Sequence, residues 1–214
     1  VISVAGNHDC DFSETENKAR NNQIKLIENS GADVIDNSVF EICLAVQNEY
    51  QKFNDKLNSK TYLKHSTEIF NLYEIPIKDK ILQFFCYNTA YMSILKENSH
   101  IGKMFMPYTL IPDNYFNESA DLKFSVFHHP YNWLSPTNLR EFRSHIEEKS
   151  DLTFTGHEHE FAKSLKSDLD GNYNYLFEGA VLQDSENQDI SGFNLFQFDL
   201  TSNKFFIKNY NWGN

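Results

Sequence analysis

The stretch Asp151-Leu152-Thr153-Phe154-Thr155-Gly156-His157-Glu158-His159 changes character at a single residue. Asp151 to Thr155 is short, apolar and rich in threonine, which reads as a buried strand. Gly156 then opens a tight turn that carries two histidines with one residue between them. That spacing can aim both imidazoles into one pocket. The same change recurs at Leu122 to Phe127, a strand pattern ending in His128-His129-Pro130. It recurs again at Val1 to Ala5, which reads as a short buried strand running into Gly6-Asn7-His8-Asp9. Three predicted strands therefore deliver Asn or His at their carboxyl ends, where open α/β sheets place their ligands.

Working outward, Ser13 and Glu16 form a capping-box pattern for a helix that Gly31 stops. Val34 to Cys43 reads as strand-like sequence broken by a turn at Asp36-Asn37. Residues 47–68 are polar and poorly periodic, and read as a possible cap or insertion. Ile69 to Ile77 and Lys80 to Tyr87 read as two strands joined by a turn at Lys78-Asp79. Asn88 to Asn117 is loop-rich, with Pro107 and Pro112 as breakers. Ser135-Pro136 is a good N-cap and N1 pair for a helix to about Lys149. Tyr173 to Phe177, Phe193 to Leu200 and Lys204 to Tyr210 complete the strands. The expectation is a mixed α/β chain, with more strands than helices, forming one domain over residues 1–214.

Composition narrows the function classes. The chain has 214 residues, 40% hydrophobic and 23% charged, which suits a folded domain with a real core. Its formal net charge is -11 and no Lys/Arg run forms a basic stripe. Nucleic acid is therefore a possible but not a favoured partner, since bound divalent ions could still make a site locally positive. The three cysteines, Cys10, Cys43 and Cys86, are too few and too irregular for a disulfide framework or a zinc ribbon. They suggest a reducing, cytoplasmic setting. No apolar stretch is long enough to span a bilayer, so no membrane partner is expected.

Imidazole nitrogen and amide oxygen suit Zn, Fe, Mn and similar metals. A lone His-x-His on a solvated turn carries little weight. Gly-Asn-His-Asp, His-His-Pro and Gly-His-x-His in this order, each after a strand, carry much more. On these motifs the chain resembles the calcineurin-like metallophosphoesterases, which include purple acid phosphatases, cyclic-nucleotide phosphodiesterases and nucleases. The resemblance implies a four-layer α/β/β/α sandwich with mixed sheets and two divalent ions. It implies that Asn7, His128 and His157 hold the second ion and His159 the first. His8 would serve as the catalytic histidine at the leaving oxygen, with Asp9 orienting it. Tyr131, Trp133 and residues 89–107 would wall the pocket. His129 is open between substrate contact and structural hydrogen bonding, Glu158 reads as exposed turn, and His65, His100 and His145 read as surface residues.

The expected activity is hydrolysis of a phosphate ester by a phosphodiesterase or phosphatase. The alternatives are a nuclease of the same fold, or a metal-poor interaction module in a larger signalling or defence protein. One departure stands out. The family's Asp-x-His and Gly-Asp motifs, which lie upstream of Gly-Asn-His-Asp, occur nowhere in these 214 residues. The expectation is a domain whose first strands and ligands are missing from this stretch, inactive as an isolated fragment, in a parent chain with further domains.

Overall fold

Strand alternation divides the core in two, and each half of the alternation meets a different partner. The computed structural model describes residues 1–13, 18–57, 60–116, 119–158, 162–167, 173–179, 181–182, 191–202 and 204–212. The helices are α1 (Lys18–Ser30), α2 (Asn37–Leu44), α3 (Asn48–Leu57) and α4 (Pro136–Lys149). The strands are β1 (Leu63–Ser66), β2 (Phe70–Ile77), β3 (Lys80–Tyr87), β4 (Leu122–Phe127), β5 (Leu152–Thr155), β6 (Ala162–Ser167), β7 (Tyr173–Glu178), β8 (Gly192–Asp199) and β9 (Lys204–Asn211).

Seven strands form one mixed sheet in the order β1-β2-β3-β4-β5-β7-β6. The central strands β3, β4, β5 and β7 run parallel, and β1–β2–β3 and β6–β7 pair antiparallel. On one face Phe85, Tyr87 and Phe127 pack with Ile24 and Ile27 of α1, Val39 and Phe40 of α2, and Phe142 and Ile146 of α4. On the other face Leu82, Phe84, Phe124, Leu152, Phe154 and Phe177 pack against Phe196, Phe198, Phe205 and Ile207 of the β8–β9 hairpin. Successive side chains of a strand point to opposite faces, so the sheet sends one set to the helices and the other to the hairpin. Phe142 is fully buried with its ring 5.2 Å from Tyr87 and 5.3 Å from Phe127. Burial of one such ring stabilises the fold by roughly 1.5–3 kcal/mol.

Several expectations need correction. Val34 to Cys43 is not a strand. The Asp36 side chain accepts a hydrogen bond from Val39 N at 3.0 Å and caps α2. Val39, Phe40 and Cys43 then share one buried helical face, so the β-branched residues misled the period. Val1 to Ala5 takes no strand pairing among the described residues. It is anchored instead by Ser3, whose hydroxyl donates to Asn54 Oδ1 at 2.8 Å. The polar 47–68 stretch forms α3 and then β1, an edge strand paired with β2. β6 escaped the sequence reading. The helix starting near Ser13 is described only from Lys18, and Glu16 of the expected capping box lies outside the described residues.

All three histidines read as surface residues are in fact packed. His100 is 6% exposed. His145 is half-buried against Tyr108 and Phe116, and its Nε2 lies 3.2 Å from the Tyr87 hydroxyl. His65 is half-buried and stacks on Tyr115 at 4.0 Å. All three cysteines are buried free thiols. Among the described residues, no helix is long and apolar enough to cross a membrane.

Candidate metal centre

β4 and β5 are parallel neighbours, with Phe127 opposite Thr155. Their ends therefore place His128 and Gly156-His157 side by side, and Gly156 N donates to His128 O at 3.0 Å. The N-terminal turn reaches the same point. Asp9 closes that turn: Gly6 N donates to Asp9 Oδ2 at 2.9 Å, and Asp9 N donates back to Gly6 O at 3.1 Å. The exposed Asp9 carboxylate thus shapes the loop that presents Asn7 and His8.

The His128 imidazole sits between two motif glycines. A Cβ on Gly6 would lie 2.8 Å from His128 Cε1, and one on Gly156 would lie 3.1 Å from His128 Nδ1. Both glycines are therefore needed so that this ring can enter. His128 Nε2 is 2.8 Å from Asn7 Oδ1 and 3.1 Å from His157 Nδ1. His128 Nε2 carries either one hydrogen or one lone pair, so it cannot satisfy both neighbours at once, and polar atoms from two other loops crowd its edge. Two ligand atoms each ~2.1 Å from one ion at a right angle would stand ~3 Å apart, which matches this spacing. Burial, reinforced by the neighbouring imidazoles His129, His157 and His8, pushes the His128 pKa down to about 2. His128 is therefore neutral, the form that binds metal. His157 has φ +72°, the left-handed region that a histidine seldom occupies without a reason. The Trp133 ring packs edge-on against it at 4.2 Å, and Trp133 Nε1 donates to Glu158 Oε1 at 3.3 Å. Glu158 is thus a half-buried partner rather than a free turn residue.

His128, His129 and His157 bring ring nitrogens within 4.8 Å of one another. Hydrogen bonding nonetheless separates His129 from the other two. It is fully buried, its Nε2 lies 2.8 Å from Glu97 Oε1, and its Nδ1 lies 3.2 Å from Thr89 Oγ1. Thr89 Oγ1 also accepts from His129 N at 3.0 Å. Both ring nitrogens are engaged, so no lone pair remains for a metal. His129 fixes the backbone beside His128, which resolves the choice that the sequence left open in favour of hydrogen bonding. Burial raises the Glu97 pKa, but the His129 hydrogen bond and charge, with the Ser93 hydroxyl, outweigh it and hold the carboxyl below its ordinary range.

A cavity of about 620 Å³ opens beside this cluster, lined by Asn7, His8, Glu97 and His157 among others. His8 is exposed on it. Cys10 also reaches the cavity, but burial pushes its thiol up to about 11, so it is not a nucleophile. Sequence reasoning missed Glu97 because a Glu in a loop carries no spacing signal. Asn7, His128 and His157 come together, His8 shares their cavity, Asp9 shapes the turn, and His159 lies outside the described residues.

No family model matches the sequence, and no curated protein matches it. Among solved structures, the crystal structure of a hypothetical protein from Thermus thermophilus is similar over 91% of this chain and 93% of its own. The two share 9% identity, with a TM-score of 0.46.

Proposed function

We propose that this chain hydrolyses phosphate esters, as a phosphodiesterase or phosphatase, at a binuclear metal centre in a four-layer α/β/β/α sandwich of the calcineurin-like type. One observation carries the reading: from separate loops, Asn7 Oδ1 and His157 Nδ1 both lie within 3.1 Å of His128 Nε2. Asn7, His128 and His157 would hold one divalent ion (Mn, Fe or Zn), and His159 would contribute to a second. When bound, such ions polarise the phosphoryl group and make water acidic enough to attack it near neutral pH. His8, exposed on the shared cavity, delivers a proton to the leaving oxygen as its bond to phosphorus breaks. Gly6 and Gly156 admit the His128 ring, Trp133 holds His157, and the Thr89–His129–Glu97 chain fixes the loop between them.

The test separates metal binding from turnover in the full-length protein. His128→Ala should remove bound Mn²⁺ by elemental analysis and titration calorimetry. His8→Ala should keep the metal while hydrolysis of bis(p-nitrophenyl) phosphate falls by roughly 10²–10⁴-fold. Metal content unchanged in His128→Ala would overturn the reading. Loss of metal in His8→Ala would move that residue from proton donor to ligand. A wild-type protein with neither metal nor turnover would favour the interaction-module alternative.

A further inference from the structure

A second cavity, of about 430 Å³, adjoins the one at the candidate metal centre. α1 supplies one side of it and the loop after the Thr89–Met92 turn the other. The two cavities share Phe12, Ile94, Leu95, Lys96 and Ser99. Leu95, on this shared wall, is 77% exposed. The Arg20 guanidinium sits 5.9 Å from the centre of the Phe12 ring and is itself anchored to Cys43 O and Tyr91 O at 2.9 Å each. Phe12, Ile94 and Leu95 thus give a continuous apolar wall from one cavity to the next.

The rest of the second cavity is polar, and its charge runs against that of the whole chain. Four cations, Arg20, Lys25, Lys96 and Lys103, face two carboxylates, Asp11 and Glu28, in a chain of net charge -11. Lys25, Lys96 and Lys103 are exposed and stand at the lip. Behind them His100 Nε2 lies 3.4 Å from Glu28 Oε1. That contact is not aligned as a hydrogen bond, so Glu28 Oε1 and His100 Nδ1 are buried without a hydrogen-bond partner among the described residues. Buried polar atoms are normally paired; of these two, His100 Nδ1 can offer a hydrogen to an anion, whereas the Glu28 oxygen is an acceptor and leaves the anion to the lysines at the lip. A local positive field with low-dielectric walls selects anions.

We infer that this second cavity receives a second anionic group of the substrate. The ester hydrolysed is then a phosphodiester that carries a further phosphate, its apolar ring or chain lying across Phe12, Ile94 and Leu95. Lys25, Lys96 and Lys103 hold the distal phosphate while the scissile one faces His8, Asn7 and His157. The inference rests on the proposed reading of the metal centre and adds a substrate requirement that the metal ligands do not impose.

The test is calorimetric and needs no turnover. Thymidine 5′-phosphate and thymidine 3′,5′-bisphosphate are titrated into the full-length protein with and without Mn²⁺. The bisphosphate should bind at least about 10-fold more tightly, the effect of one charge-assisted contact. Lys25→Glu/Lys103→Glu should erase that advantage. Lys52→Glu/Lys56→Glu, which changes charge equally but lies outside both cavities, should preserve it. Equal affinity for the two nucleotides, an advantage that survives the double substitution, or no binding of either would each overturn the inference. Lysine-dependent preference that persists without Mn²⁺ would uphold the second cavity while removing support from the metal centre, so the two readings fail separately.

Discussion

Glycine clears space in two regions of this molecule, for opposite purposes. At the candidate metal centre, Gly6 and Gly156 leave room for the His128 ring, a side chain that could swing away if crowded. In the β8–β9 hairpin, a Cβ on Gly192 would collide with Tyr210 O, a backbone atom fixed by the ladder. The first glycine protects a chemical arrangement and the second protects a fold. A motif glycine can therefore be read for function only once its neighbour is known.

That contrast gives the largest expected effect. Gly6→Ala should displace His128, costing metal affinity by roughly 10–100-fold, the usual consequence of disturbing the support of a ligand. Unfolding temperature should change little. Gly192→Ala should do the reverse, destabilising the fold by about 1–3 kcal/mol through overpacking while leaving Mn²⁺ affinity intact. Parallel calorimetry and thermal melts on both variants decide it. If Gly6→Ala bound Mn²⁺ normally, the crowding at His128 would not control ligation and the contrast would collapse.

The same contrast explains what was legible in the sequence. The hairpin could be read from period alone, because Phe193 to Leu200 and Lys204 to Tyr210 alternate as strands do. That Asn7, His128 and His157 come together could be expected from chemistry, because Asn and His at strand ends are scarce and their order is informative. What resisted were segments whose local signals compete. Val34 to Cys43 has β-branched residues, yet Asp36 caps a helix there. Val1 to Ala5 looks like a buried strand, yet it takes no pairing among the described residues. Glu97 and the packing of His100 and His145 were illegible because they depend on contacts across long stretches of chain. His145 meets Tyr87 from 58 residues away. Nothing in either residue's own neighbourhood announces that contact.

The two regions should also respond differently to acid. Histidines cluster on the helical face and at the site, while β8 and β9 contain none. Burial depresses His100 and His145 each to about 4. In the unfolded chain they titrate near ~6.5. The unfolded state therefore takes up protons first, so the stability these groups contribute is fully present above about pH 6.5 and is lost as pH falls toward 4. By pH 5 the loss should be roughly 1–2 kcal/mol for each. Urea unfolding at pH 7.5 and pH 5 measures it, and His145→Gln should flatten part of the slope. A midpoint that stays constant across that range would show that neither imidazole is as buried as the packing indicates.

The smallest effect is expected on the outer face of the hairpin. Phe206 is 63% exposed and its neighbour Leu195 52%, whereas the inward-facing Phe196, Phe198 and Phe205 pack against the large sheet. Removing an apolar group that water already reaches forfeits little burial, so Phe206→Ser should change stability by no more than about 0.5 kcal/mol. Its mobility on size exclusion should shift only toward less self-association, since an exposed apolar strand face is a docking hazard. This is the sharpest check on the two-region comparison, because it asks for nothing to happen. A loss of ~2 kcal/mol or more would mean that the outer face is covered in the folded protein, as the fourth layer of the proposed sandwich would cover it, although among the described residues β8–β9 is outermost.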